Sequence, residues 1–498
     1  MMLIYLLFFT LAALNNLQSQ DMLSEEKSSY RPPTAAGSFY SNSRSELLSS
    51  INEYLNKEKP IISKEEEIIG IVVPHAGYVY SGWVAGFAYR EIIGRKYDAI
   101  VLIGPSHITH FRGASIFDGD AYTSPLGASL IDKKLAGMIA ENSESINISR
   151  KGHGWNGGRA EHSLEVQIPF LQVVQPNVPI VPIIIGSSNF ESADELMLSL
   201  VKAIKESNKK VLLIASTDLS HFHNQEKACA IDQSLIEDFK KFDYFKLAKD
   251  LASSKKEACG SSALLTVMMA AEQLGGNLPL NLKHATSAES PYYPGDTNRV
   301  VGYLSGALLK SKNPFIELPN FSEEEQDLLK QIAQNSVRSK ILRIKDSLPF
   351  KIENKNLNLN LPAFVTIRKK GALRACMGHT STELPLYEEI SHSAQVASTE
   401  DSRFGPIKKN ELADLDFEIT VLSRMKRVVE LSQIQIARDG LYIRLGSYGG
   451  LFLPQVPVEQ KWNLTEYLEN LCYKAGLQKN DYLNPKAQLF SFRAFVID

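Results

Sequence analysis

Apolar residues along this chain fall in short unbroken runs separated by polar stretches of helical period. The runs are "IIGIVV" (68–73), "AIVLIG" (99–104), "PIVPIIIG" (179–186), "VLLIAS" (211–216) and "RVVGYLSGAL" (299–308). They are rich in Ile and Val and lack polar alternation, so they predict strands covered on both faces, the habit of parallel sheets in α/β folds. Amphipathic stretches lie between them, such as "SADELMLSLVKAIKES" (192–207), whose opening resembles a capping box. Strand, crossover helix, strand is the repeated unit.

The pattern changes around "SKNPFIELPNFSEEEQ" (311–326), where Pro314 and Pro319 punctuate a polar connector. A serine-capped helix with an acidic first turn follows, "SEEEQDLLKQIAQNSVRSKI". Beyond it come isolated strands, "AFVTIR" (363–368), "DFEITVLS" (416–423) and "GLYIRLG" (440–446), which predict an α+β domain. The expected organisation is therefore an N-terminal segment over 1–30, an α/β domain over 31–310, a linker over 311–320 and a smaller α+β domain over 321–498. A chain of 498 residues has length for two such cores.

Residues Met1 to Leu14 form an apolar run too short to span a bilayer but of signal-peptide length. No Lys or Arg precedes it and "NLQSQ" is a poor cleavage site, so export and a cytoplasmic chain with a hydrophobic extension both stay open. No later segment is long and apolar enough to cross a membrane. With 54 Lys+Arg against 56 Asp+Glu, no bulk field points to nucleic acid. Four cysteines without a C-x-x-C pair make reduced thiols the expectation.

Several apolar runs end in titratable residues. "IVVPHAGYVYSG" delivers His75, "VLIGPSHITH" delivers His107, and "VLLIASTDLSH" delivers Asp218 and His221. Ligand groups of open α/β sheets collect beyond the carboxyl ends of the strands, so three strands ending this way predict one shared site. "EACGSSALLTVMMAAEQ" adds Cys259 just before a helix, where the helix N-terminus is expected to lower its pKa. Glu161, His162 and Glu165 of "AEHSLEVQIPFLQ" lack the two-histidine i, i+4 spacing of a zinc helix and read as a pocket wall, with His162 as a polar contact.

"RPPTAAGSFY", "PHAGYVYSG", "GPSH", "EHSLEVQIPFLQ", "STDLSH", "ACGSSALL" and "DTNRVVGYLSGAL", in this order, resemble the Memo family (mediator of cell motility, protein B of the AmmeMemoRadiSam system). The resemblance implies a fold similar to class III extradiol dioxygenases and a metal pocket of His75, His107 and Cys259. It places Asp218 and His221 in that pocket, His221 where the dioxygenases keep an acid/base histidine. Two imidazoles and one anion leave open coordination positions, which suits iron; the thiolate makes copper or zinc the alternatives.

"AFVTIRKKGALRACMGH", "STEDSRFGPI", "ELADLDFEITVLS", "GLYIRLGSYGGLFLPQV" and "LENLCYKAGL" resemble the AMMECR domain, protein A of the same system. The motif usually reading LRGCIG is LRACMG here, so a left-handed backbone at Ala375 would be strained. Arg374, Cys376, Asp401, Arg403 and Glu418 are candidates for a polar cleft. The function expected is a metal-binding, redox-active dioxygenase-like domain fused to an AMMECR domain, acting on a small molecule or peptide with a radical-SAM protein as partner. A non-catalytic binding scaffold and a metal-dependent hydrolase are the alternatives.

Overall fold

The structure, a computed structural model, describes residues 29–154, 160–293, 295–344 and 352–498. The apolar run at Met1 to Leu14 lies outside them. No helix among the described residues is long and apolar enough to cross a membrane. The chain divides into two units, one running to Glu237 and resuming over Asp250–Lys312, the other made of Asp238–Lys249 and Asn313–Asp498.

The first unit is built on a nine-stranded sheet: β1 (Glu67–Val73), β2 (Ala99–Pro105), β3 (Ala114–Phe117), β4 (Ile146–Ser149), β5 (Ile180–Ile185), β6 (Val211–Ser216), β7 (His221–His223), β8 (Leu278–Thr286) and β9 (Val300–Lys310). The spatial order is β7-β9-β1-β6-β2-β5-β3-β4, with β8 also paired to β9. Strands β1, β6, β2 and β5 are mutually parallel. The fifth apolar run behaves differently, since β9 is antiparallel to β1.

The parallel strands are buried along nearly their whole length because helices cover both faces. Helices α1 (Arg44–Asn56) and α2 (Tyr78–Tyr89) lie on the side of Ile71, Val73, Ile100, Leu102, Leu212 and Ile214. Helices α3 (Phe190–Ser207) and α4 (Ser261–Gln273) pack together, and α4 packs on β1, β2 and β6. Val267 of α4 would lie 3.1 Å from a Cβ at Gly70 of β1. Helix α3 begins earlier than its periodicity predicts, because the Asn189 side chain accepts from Ser192 N and caps it.

The second unit holds two four-stranded antiparallel sheets. One runs Ala372–Gly378, Ala363–Lys369, Leu415–Leu422, Ala494–Ile497; the other Lys426–Arg427, Gln488–Phe492, Gly440–Leu445, Tyr448–Phe452. Helix α5 (Glu323–Leu342) starts with the Ser322/Glu325 capping box that its sequence announces. Helix α6 (Leu386–Glu400) packs on α5 and on the first sheet. Ala375 lies fully buried in a strand, and its φ is not positive, so the departure from the glycine motif carries no left-handed strain.

Segment Asp238–Lys249, placed by sequence within the first domain, groups with the second unit. The Tyr244 hydroxyl accepts from Arg427 N at 2.6 Å, and the Phe245 ring lies 4.9 Å from Phe490 and 5.7 Å from Tyr442. Losing these two aromatic contacts costs roughly 3 kcal/mol or more. Residues 313–498 produced alone should therefore lack a cooperative thermal transition and bind a hydrophobic dye. A cooperative melt matching that of the intact chain would show Asp238–Lys249 to be dispensable.

Candidate functional site

The carboxyl ends of β1, β2 and β6 open onto one place. His75 follows β1 by two residues, His107 follows β2 by two, and Asp218 and His221 follow β6. Cys259 arrives from the start of α4. The ligand atoms of His75, His107 and Cys259 all lie within 4.8 Å of one another, as do those of Asp218, His221 and Cys259 and those of His107, Glu161 and His162. The Cys259 Sγ is 3.1 Å from His75 Nε2. Donors bound to one ion sit roughly 3.3–3.8 Å apart, given bonds near 2.0–2.1 Å to nitrogen and 2.3 Å to sulfur.

Hydrogen bonds decide which nitrogen each ring offers. Ser216 Oγ donates its single hydrogen to Ser163 O at 2.6 Å and accepts from Gln167 Nε2 at 3.0 Å. It can therefore only accept from His75 Nδ1, also at 3.0 Å, so Nδ1 carries hydrogen and Nε2 keeps a lone pair toward Cys259. Gln167 is held in turn by Pro74 O at 2.9 Å and the Tyr89 hydroxyl at 2.9 Å.

Glu161 does the same for His107. Its buried carboxylate accepts from His107 Nδ1 at 3.0 Å, His107 N at 2.5 Å, and the backbone of His162 and Ser163 at 2.9 Å each. Burial alone would raise its pKa, but the His107 ring and the backbone donors bring it down to about 2. An ionised carboxylate only accepts, so His107 Nδ1 carries hydrogen and leaves Nε2 as the donor atom. A carboxylate behind a histidine is the arrangement that orients metal-ligating imidazoles. His162 stacks between Phe39, at 4.3 Å, and His107, at 4.7 Å.

Asp218 clamps the other two corners. Its Oδ1 accepts from His75 N at 2.8 Å, its own N–H donates to Cys259 Sγ at 3.3 Å, and its carbonyl accepts from Cys259 N at 3.2 Å. The chains approach so closely that a Cβ at Gly260 would lie 2.4 Å from Ser216 O. The His221 Nδ1 donates to Leu219 O at 2.7 Å, which leaves its Nε2 as a proton acceptor.

The Cys259 thiol departs from expectation. Burial first and the Asp218 carboxylate second push its pKa well above the ordinary value, outweighing the start of α4. A cation between the three donors would reverse this, because a coordinating thiol is deprotonated by the ion's own charge.

The wall segment is tied down by a second buried carboxylate. Glu165 pairs with Arg31 and accepts from Thr34 Oγ1 at 2.8 Å, Ala35 N at 2.6 Å and the Tyr40 hydroxyl at 2.7 Å. Sequence reading named Glu161 and Glu165 only as pocket wall and did not single out Ser216 or Gln167. Nothing in spacing relates Glu161 to His107, 54 residues away. In the second unit the proposed cleft resolves into separate pairs: Arg374 with Glu411, Arg403 with Asp401, and Arg368 with Glu418. Cys376 joins only the second, its N–H donating to Asp401 Oδ2 at 2.9 Å and its carbonyl accepting from Arg403.

An α/β unit with a histidine–cysteine pocket at its strand ends, followed by a smaller α+β unit, defines a two-domain protein class. The family model for Memo-like proteins matches residues 31–307 and that for AMMECR1 matches residues 330–497. The chain belongs to the Memo family and carries an AMMECR1 domain after it. MEMO1 family proteins of Methanobrevibacter smithii and Sulfurisphaera tokodaii are 33% and 34% identical to it, each match covering 55% of this chain and 98% of the relative. An uncharacterized protein of Pyrococcus horikoshii of solved structure is 29% identical, with a TM-score of 0.34, covering 36% of this chain and 93% of that one.

Burial lowers the pKa of His75, His162 and the core residue His153 from 6.5 to about 3. Below pH 6.5 the unfolded chain therefore binds protons that the folded chain refuses, so stability falls as pH drops; depressed Glu161 adds in the same direction below pH 4.5. Each histidine contributes about 1.4 kcal/mol per pH unit. Chelator-treated protein should lose on the order of 4 kcal/mol per unit between pH 6 and 4.5. His153→Gln, outside the pocket, should cut that slope by about a third. A melting temperature that stays level from pH 7 to 5 would contradict the burial of these rings as neutral groups.

Proposed function

We propose that the first unit is a metal-dependent oxidoreductase centre in which His75 Nε2, His107 Nε2 and Cys259 Sγ hold iron, with copper as the alternative. What supports this reading is the convergence of three donors whose two imidazoles already have their Nδ1 hydrogens committed, to Ser216 and to Glu161. That donor set fits a transition metal and leaves no carboxylate among the three. Bound there, the ion would supply open coordination positions at which an organic substrate and dioxygen can meet. A thiolate in the set also suits zinc, and a zinc-held water would make the pocket hydrolytic.

The protein's own residues divide the remaining work. His221, its Nδ1–H fixed on Leu219 O, takes a proton from a substrate hydroxyl at Nε2 and returns it to the product. Asp218 positions His75 and Cys259 through its carboxylate and backbone. Phe39 and His162 form a flat wall beside His107. The substrate is a small molecule or peptide, and a radical-SAM protein is the proposed partner.

Metal analysis of anaerobically purified protein tests the reading. Stoichiometric iron is expected, falling below about a tenth in His75→Ala, His107→Ala and Cys259→Ala, with each variant still folded. His221→Ala should keep its metal while losing oxygen uptake against catechol-like and peptide substrates by 10²-fold or more. Unchanged metal content in His75→Ala or Cys259→Ala would overturn the ligand set, and stoichiometric zinc would replace the redox reading with the hydrolytic one.

A further inference from the structure

Phe222 is the one residue that strand pairing leaves out at the pocket edge. His221 pairs with Val301 and His223 with Val300, so Phe222 bulges between them. Its φ is +63°, in the left-handed region that bulky side chains rarely occupy. Its ring is nevertheless 60% exposed, so core packing does not explain why a phenyl group stands where glycine would sit without strain.

The neighbours of that ring are informative. The His221 imidazole lies 5.6 Å from it at 73°, and the Arg299 guanidinium stands 4.8 Å from its centroid. Arg299 is exposed and makes no ion pair among the described residues. The carboxylate of this corner, Glu257, is already used by His223 Nε2 at 2.8 Å and His221 N at 3.3 Å. A guanidinium laid against an aromatic ring keeps its edge N–H groups free, in the fork that matches a carboxylate. The strained bulge thus holds an aromatic surface, an uncommitted cation and the proton-accepting histidine side by side.

We propose that Phe222 and Arg299 form the substrate-recognition edge of the pocket and bind a planar, carboxylate-bearing small molecule, its ring against Phe222 and its carboxylate on Arg299. The proposal rests on the reading of the adjoining His75–His107–Cys259 cluster as the reaction centre, which makes this edge the place where a ligand would be oriented.

Benzoate is the probe, with benzyl alcohol and acetate each lacking one half of the recognised group, titrated calorimetrically into the full chain while metal content is measured in parallel. Benzoate should bind at least 10-fold more tightly than either control. Arg299→Gln should weaken it about 10-fold with metal content unchanged. Phe222→Gly should weaken it similarly while raising the melting temperature by roughly 2–4 °C, because relief of backbone strain and loss of recognition move in opposite directions. Benzoate binding no tighter than that of the controls, or unchanged in both variants, would overturn the proposal. Metal bound together with benzoate binding that does not depend on Arg299 would remove this inference and leave the proposed centre standing. Benzoate binding that needs Arg299 and Phe222 in a chain that holds no metal would do the reverse.

Discussion

The buried Glu161 carboxylate is the constraint on which the rest of the pocket depends. It receives four hydrogen bonds, two from His107 and two from the backbone of the turn that follows it. A buried charge is tolerated only when so satisfied, and here its satisfaction fixes the ring of His107 and the path of residues 161–163 at once. The same segment then carries Glu165, whose pairing with Arg31 fastens the chain ahead of α1. Ligand orientation and chain architecture are thus one network, and a change at Glu161 cannot be confined to the site.

His75 reaches the same state by a neutral route. Ser216 has one hydrogen, gives it to Ser163 O, and so receives that of His75 Nδ1. His75 presents Nε2 to the thiol and is backed by a hydroxyl, while His107 is backed by a carboxylate and keeps its own Nε2 uncommitted. The two rings are therefore held by different partners, an anion for His107 and a neutral hydroxyl for His75. The thiol, raised by burial and by Asp218, stays protonated without a cation nearby.

What was legible in the sequence follows from what is periodic or terminal. Unbroken Ile/Val runs marked β1, β2, β5 and β6 because both faces of a parallel sheet are apolar, and residues just past their carboxyl ends led to His75, His107, Asp218 and His221. The antiparallel sense of β9 was hidden because an interior strand reads the same in either direction. Glu161 and Ser216 were not assigned their roles because a hydrogen-bond partner is chosen by fold, not by spacing. The thiol's direction was misjudged because a helix start is visible in sequence while burial and a facing carboxylate are not. Segment Asp238–Lys249 looks like any other helix of the first unit, its attachment elsewhere set by Tyr244 meeting Arg427, 183 positions on, and Phe245 meeting Phe490, 245 positions on.

The most direct test of the central claim is the absorption spectrum of chelator-treated protein titrated with cobalt(II). Coordination by Cys259 Sγ predicts a sulfur-to-metal charge-transfer band that saturates at one equivalent and disappears in Cys259→Ser, while the weaker visible bands from the histidine nitrogens persist. A saturating spectrum without the charge-transfer band, or one that survives unchanged in Cys259→Ser, would contradict a centre held by His75, His107 and Cys259.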